Sequence, residues 1–242
     1  MLRLPRLDVC RNEYSEASLL VAIRKQLQED DAKRDNGIHA SDLLDLRLAY
    51  WRNTNPKEVD ERTAFFFVIG KVLHTLVLSL ADPMITASDA GTKNELGISY
   101  SPDLVSRAGR PTELKSNRAT DEPDDLQEEY SHYLEQLIIY MICENMLTGE
   151  LWILYLNLRE ASSRRTFPAL RCYTVSLTQE QFEGLEEQIV WSRDKLRQAL
   201  QEHTPQILEP CRAWKCGKAC AWWDECRPQG RWPKTDKRSW TG

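Results

Sequence analysis

The chain has no stretch suited to crossing a bilayer. Its longest apolar run, Ala64 to Leu80, is broken by Gly70, Lys71 and His74, and a spanning helix needs about 20 predominantly apolar residues. The first ten residues carry no charged start backed by an apolar run, so no signal peptide is expected and a cytoplasmic location is the default. A global positive charge is also missing. The formal net charge is −5, so no overall field advertises nucleic-acid binding. Internal repeats and low-complexity tracts are absent, which argues against solenoids and compositionally disordered chains. No helicase motif is present. What remains is an ordinary soluble chain of 242 residues, 41% hydrophobic and 29% charged. That is long enough for one domain with a sizeable core, or one domain with a small appendage.

What is present is unevenly spread. Residues 211–242 hold eight Lys/Arg against three Asp/Glu, and five of the eight tryptophans: Trp214, Trp222, Trp223, Trp232 and Trp240. Cations interleaved with aromatics suit single-stranded nucleic acid, whose phosphates pair with Lys or Arg and whose bases stack on rings. Arg231, Lys234 and Trp232 are the foremost candidate contacts, with Lys237, Arg238 and Trp240 behind them. A solvated basic end whose tryptophans pack locally is an equally good reading. Four of the seven cysteines, Cys211, Cys216, Cys220 and Cys226, lie within sixteen residues. In a cytosolic chain that crowding points to a metal rather than to disulfides. The spacing, Cys-x4-Cys-x3-Cys-x5-Cys, suits zinc or an iron–sulfur cluster and does not choose between them. Cys143 and Cys172 sit in apolar surroundings and read as inert core thiols. Cys10 is isolated.

Hydrophobic periodicity and breakers give the elements. Residues 14–34 read as a charged amphipathic helix ended by Asn36-Gly37. Ser41 looks like an N-cap for a short helix from Asp42 to Trp51. A long apolar helix is expected from about Arg62 to Leu80, stopped by Asp82-Pro83. Ile98–Tyr100, Asp103–Arg107 and Thr112–Lys115 read as short strands. Helix returns over Asp121–Met146, ended by Thr148-Gly149. Leu151–Leu158 and Ala169–Leu177 are strands. A capping box, Thr178 to Gln181, opens a helix running to about Glu202. The expected fold is therefore mixed α/β with a small metal-bound appendage. Its parts are an N-terminal helical region (1–60), a core (61–205) and a cysteine-rich, basic, Trp-rich tail (206–242).

The chemistry centres on Pro102-Asp103, followed nine residues later by Glu113-Leu114-Lys115. Glu113 and Lys115 are two apart on a strand and share a face. Asp103 joins them if 103–107 pairs with 112–115 across Ala108-Gly109-Arg110. Two carboxylates on one face repel, and a hard cation such as Mg²⁺ or Mn²⁺ relieves that repulsion. A neighbouring ammonium can hold a water and stabilise charge developing on a phosphate. By itself the pattern also fits an exposed, salt-bridged hairpin. Two helical pairs add to it. Gly70 and His74 are four apart and share a face, where a core histidine is the commoner occupant. Gln136 and Tyr140, also four apart, interrupt an apolar face; a structural hydrogen bond is the plain explanation.

Taken in order, Gly70-x3-His74, Pro102-Asp103, Glu113-x-Lys115 and Gln136-x3-Tyr140 resemble the RecB-like group of PD-(D/E)XK nucleases. The likeness is closest to the CRISPR-associated iron–sulfur exonucleases and their phage relatives, and it spans about residues 38–226. The resemblance implies a restriction-endonuclease-like core: a mixed central sheet flanked by helices. It implies that His74, Asp103, Glu113 and the backbone carbonyl of Leu114 bind Mg²⁺ or Mn²⁺. Lys115 would position the attacking water, and Gln136 and Tyr140 would orient the lysine or touch DNA. The implied activity is phosphodiester hydrolysis, exonucleolytic and directed at single-stranded DNA ends. An integrase or a helicase is the kind of partner implied. The family also favours a 4Fe-4S cluster over zinc on Cys211, Cys216, Cys220 and Cys226. Here the sequence departs from the family pattern. The segment Ser41–Trp51 corresponds to the one that carries the first cluster cysteine, but has Asp45 or Leu46 at that place; the tail supplies four cysteines instead. A structure-specific endonuclease and a non-catalytic DNA-binding adaptor are the alternatives. Antiviral CRISPR adaptation, phage recombination and repair all remain open as pathways.

Overall fold

A computed structural model describes Lys25 and residues 37–57, 61–80, 86–87, 92–159, 165–212 and 220–226. The helix expected over 14–34 lies, apart from Lys25, outside the described residues. The chain is mixed α/β. Strand β1 (Ile38–His39) leads into a tight 3-10 turn at Ala40–Leu44 and helix α1 (Leu46–Thr54). Ser41 is not the N-cap of this region. The Asp42 carboxylate accepts the His39 N–H at 2.9 Å, which closes the turn earlier, and Asp45 then stands at the N-cap of α1. Helix α2 (Glu61–Leu80) follows the expected bounds.

Strands β2 (Thr86–Ala87), β3 (Thr92–Lys93), β4 (Ile98–Tyr100), β5 (Leu104–Val105) and β6 (Pro111–Asn117) come next. Among the described residues, β1, β4 and β3 form a three-stranded sheet in that order. β5 and β6 pair antiparallel, Leu104 opposite Thr112, as the sequence suggested. Gly109 makes the turn possible: its φ of +73° is a left-handed conformation that side chains with a Cβ rarely adopt.

The helix expected over 121–146 begins later. The Asp125 carboxylate accepts the N–H groups of Gln127 and Glu128, at 2.8 and 3.1 Å, so it caps the short helix α3 (Leu126–Glu129). The acidic run before it stays outside, and the chain re-forms after Tyr130 as α4 (Ser131–Cys143). Thr148-Gly149 does not end a helix either. It opens strand β7 (Thr148–Arg159), and a Cβ on Gly149 would stand 2.8 Å from Met141 Cγ. The glycine therefore serves close packing of α4 on β7.

Strand β8 (Thr166–Ser176) completes a five-stranded sheet in the order β2-β5-β6-β7-β8. β6 and β7 run parallel, Glu113 beside Leu151 and Lys115 beside Ile153, so the connection through α4 crosses one face of the sheet. Inward-facing Leu151, Ile153 and Tyr155 of β7 meet Leu137 and Met141 of α4, all fully buried. Burial of each such side chain contributes about 1.5–3 kcal/mol. Helix α5 (Gln179–Glu202) opens with the expected box: Gln181 N–H donates to Thr178 Oγ at 3.2 Å, and Thr178 N–H to Gln181 Oε1 at 2.9 Å. Its Leu196 and Ala199 pack on Ala49 and Tyr50 of α1. A last short helix, α6, covers Trp223–Cys226. No helix among the described residues is long and apolar enough to cross a membrane. Cys143 is half-buried, but Cys172 is exposed rather than a core thiol. It lies on β8, which among the described residues has β7 as its one neighbour in the sheet, and the β8 side chains that share its face are exposed.

Candidate active site

Four elements bring the candidate residues together. Strand β6 lies between β5 and β7 and carries Glu113, Leu114 and Lys115. Asp103 precedes β5, and its Oδ2 accepts the Leu114 N–H at 2.7 Å. This bond replaces a ladder bond where β5 has not yet begun and fixes the carboxylate against β6. Helix α2 brings His74, whose Nδ1 lies 3.4 Å from Asp103 Oδ1. Gly70 has open space where a Cβ would stand. From α4, Gln136 Nε2 donates to the Tyr140 hydroxyl at 2.6 Å.

Glu113 is the most unusual group here. It is fully buried (0% exposed). The Lys115 ammonium sits against its Oε1, while Oε2 has no hydrogen-bond partner among the described residues. A buried carboxylate oxygen without a partner is costly. Burial accordingly pushes the Glu113 pKa up to about 7, with Asp103 adding to the rise and Lys115 opposing it. Burial also works against the Lys115 ammonium, but the two carboxylates outweigh it and hold its pKa above the usual lysine value. Burial would raise the Asp103 pKa, yet His74, Lys115 and the Leu114 N–H together bring it below the ordinary value. For His74, burial opposes the charged form and Asp103 prevails, so its pKa is raised. The Tyr140 phenol is driven well up, by burial first and then by the Glu113 charge. These shifts describe one coupled group of charges, with one lysine and one histidine balancing two carboxylates.

One neighbour escaped the sequence reading. The Tyr133 ring lies 5.9 Å from the Lys115 ammonium. Tyr133, Gln136 and Tyr140 are spaced i, i+3, i+7, one stripe of α4, and that spacing was the available signal.

The cysteine-rich segment is only partly described. Cys211, Cys220 and Cys226 are half-buried; Cys216, the basic residues Arg231 and Lys234, and Trp232 lie outside the described residues. The segment is held against the N-terminal region. Arg47 donates to the Leu208 carbonyl at 2.6 Å, the Trp222 indole to the Asn55 carbonyl at 2.7 Å, and Lys57 to the Ala221 carbonyl at 2.7 Å. Lys57 also pairs with Glu225, and Arg212 with Glu135 of α4. Among the described residues, no three His, Cys, Asp or Glu side chains already stand as a metal-binding group. At β6, Lys115 pairs with Glu113 and His74 lies against Asp103.

No family model and no curated protein matches the chain. Solved structures do. The crystal structure of SSO0001 aligns with a TM-score of 0.57 at 18% identity, over 89% of this chain and 97% of that one. This is a likeness of fold alone. A phage related exonuclease from Haemophilus somnus 129PT aligns at TM-score 0.44 and 11% identity, over 71% of this chain and 98% of its own. An alkaline exonuclease from Laribacter hongkongensis aligns at 0.42 and 13%, over 71% and 93%.

Proposed function

We propose that this chain is a divalent-metal-dependent deoxyribonuclease that hydrolyses phosphodiester bonds, acting exonucleolytically on single-stranded DNA ends. The observation that carries this reading is Glu113: a fully buried carboxylate with one oxygen unpartnered, beside Lys115 and on the same site as Asp103 and His74. Such an oxygen suits a cation, and an Asp, Glu, His and carbonyl donor set suits Mg²⁺ or Mn²⁺. His74, Asp103, Glu113 and the Leu114 carbonyl would hold the ion. The Leu114 N–H is turned to Asp103, and in a strand the carbonyl of the same residue faces the same side. Once bound, such an ion polarises the phosphoryl oxygens and makes water a better nucleophile.

The protein's own groups supply the rest. The Lys115 ammonium, beside Glu113 and Asp103, would hold a water at Nζ and face charge developing on the phosphate. Tyr140, neutral across the working pH range, positions its hydroxyl through Gln136 on the Glu113 side of the site. Tyr133 keeps an aromatic wall beside the lysine. A second centre, a 4Fe-4S cluster rather than zinc, is proposed on Cys211, Cys216, Cys220 and Cys226, with a structural role remote from hydrolysis. The decisive experiment is digestion of end-labelled linear single strands, duplexes and circular DNA with Mn²⁺. Loss of terminal nucleotides from linear single strands, absent in Lys115→Ala, is expected. Cleaved circles would make it an endonuclease. DNA binding without cleavage would make it an adaptor.

A further inference from the structure

Helix α2 carries more exposed aromatic surface than a helix of a lone domain needs. Phe65, Phe66 and Phe67 are 45%, 43% and 53% exposed, and Val72 and Leu76 are exposed as well. At about 100° per residue these side chains fall on two faces. Phe65, Val72 and Leu76 lie opposite His74. Phe67 lies within about 20° of the His74 direction and Phe66 about 80° from it. Phe67 is two turns before His74, about 10 Å along the axis. The Arg118 guanidinium, just past the end of β6, stands 4.7 Å over the Phe66 ring. Lys71, exposed, lies between Phe67 and His74 along the helix.

We propose that Phe66 and Phe67, with Arg118 beside them, form a stacking platform for the bases of a single DNA strand leading to the His74–Asp103–Glu113 site. The proposal deepens the nuclease reading and rests on it for the direction of the strand. Every base offers a π-face to an exposed ring, and the Arg118 guanidinium over the Phe66 ring puts a cation beside the phosphates of a strand stacked there. The distance also fits: about 10 Å spans roughly three nucleotides at about 3.4 Å each along a stacked strand. A second copy of the chain is the less suitable occupant, because interfaces between proteins are depleted in lysine and this face carries the exposed Lys71 between Phe67 and His74. Phe65, Val72 and Leu76 on the opposite face take no part.

The test is fluorescence anisotropy on the full chain, without divalent cations, using a labelled oligo-dT and an abasic strand of equal length and charge. Wild type is expected to prefer the strand with bases by about tenfold or more, the range one to two stacked bases give. Phe66→Ala and Phe67→Ala should each reduce that preference several-fold and together abolish it, with abasic affinity kept; Phe67→Tyr should retain it. Both residues are exposed, so unchanged melting temperatures are expected and confirm folding. Full preference in the double variant overturns the platform. So does an intact preference accompanied by a changed sedimentation coefficient, which would make this face an interface between copies. The nuclease reading fails separately: wild type that shows the base preference but leaves the strand uncut with Mn²⁺ keeps the platform and loses the enzyme.

Discussion

Replacing Glu113 by Gln should make the metal-free protein more stable at pH 8 and leave it nearly unchanged at pH 4.5. The side chain is fully buried, and its folded-state pKa rises from 4.5 to about 7. A group whose pKa is raised by folding contributes stability that is present below its unfolded value and lost as pH rises through its folded value. The window therefore runs from about pH 4.5 to just above 7. At about 1.4 kcal/mol for each tenfold change in proton affinity, the loss reaches about 3 kcal/mol. Gln resembles the protonated acid in shape and charge, so the variant escapes it. For a chain of this size about 3 kcal/mol corresponds to roughly 6–12 °C in Tm. Calorimetry in chelator at pH 4.5 and 8 reads the difference directly. Glu113 is one of the charges that raise the His74 and Lys115 pKa values, so their titration moves with the substitution, and repeating the comparison in a His74→Ala background separates the histidine's share. Mg²⁺ or Mn²⁺ at about 100 times Kd should return about 2.7 kcal/mol to wild type and far less to the variant. A Glu113→Gln protein less stable than wild type at pH 8, or offset equally at both pH values, would refute the argument.

Other substitutions probe the remaining groups. Lys115→Ala should lower the rate of DNA cleavage by about 10²–10³-fold or more with the fold intact by circular dichroism; retained cleavage would remove the lysine from the mechanism. His74→Ala should weaken Mn²⁺ affinity, measured by calorimetric titration, and change stability by less than about 1 kcal/mol, since His74 is half-buried and Ala favours helix. If it were a core histidine, stability would fall and metal affinity would not. Deleting 227–242 should weaken single-strand binding and flatten its salt dependence; unchanged salt slopes would leave that end as solvated chain. Anaerobically purified protein should be brown, with absorbance near ~400 nm if the thiolates hold iron and sulfide. Cys220→Ser should lose the metal and Cys143→Ser should not.

The sequence carried the long-range order of the elements because period and punctuation are local signals. The Thr178–Gln181 box, the apolar run of α2 and the Asp103–Lys115 hairpin each follow from a few neighbouring residues. Local signals failed where tertiary contacts decided. Thr148-Gly149 has turn chemistry, but α4 packs so closely on β7 that a Cβ there would force the Met141 and Leu137 side chains to shift. The acidic run at 121–125 suits a helix N-terminus, yet Asp125 alone takes the orphan amides. At the site, the sequence set out Asp103, Glu113 and Lys115 on one face. It did not disclose that Glu113 is fully buried or that Tyr133 stands beside Lys115, because both depend on how α4 folds back over β6.

That same dependence bears on the cysteine segment. Leu208 is packed into the core beside Ala49 and Tyr50, but beyond it the described residues 211–212 and 220–226 are tied to residues 45–57 through hydrogen bonds and an ion pair, made to backbone carbonyls and half-exposed side chains. Exposed pairs are worth up to about 1 kcal/mol each, whereas ordering one residue costs about 1–2 kcal/mol. The helix α6 has four residues and none of them is fully buried, so it brings almost no apolar burial to offset that cost. A segment so placed needs a stronger tie than its surface contacts. Thiolate ligation is the tie that its composition offers, because metal binding to a site absent from the unfolded chain adds directly to folding free energy. With the proposed metal centre in place, the cysteines and the Asn55–Lys57 contacts would act together: the metal would hold the segment folded, and Trp222, Lys57 and Glu225 would set where it docks. Removing the metal should therefore expose the chain between Cys211 and Cys226 to protease while α4, α5 and the five-stranded sheet stay protected, and cleavage that spreads at the same rate through the sheet would show that the segment's order does not depend on the thiolates.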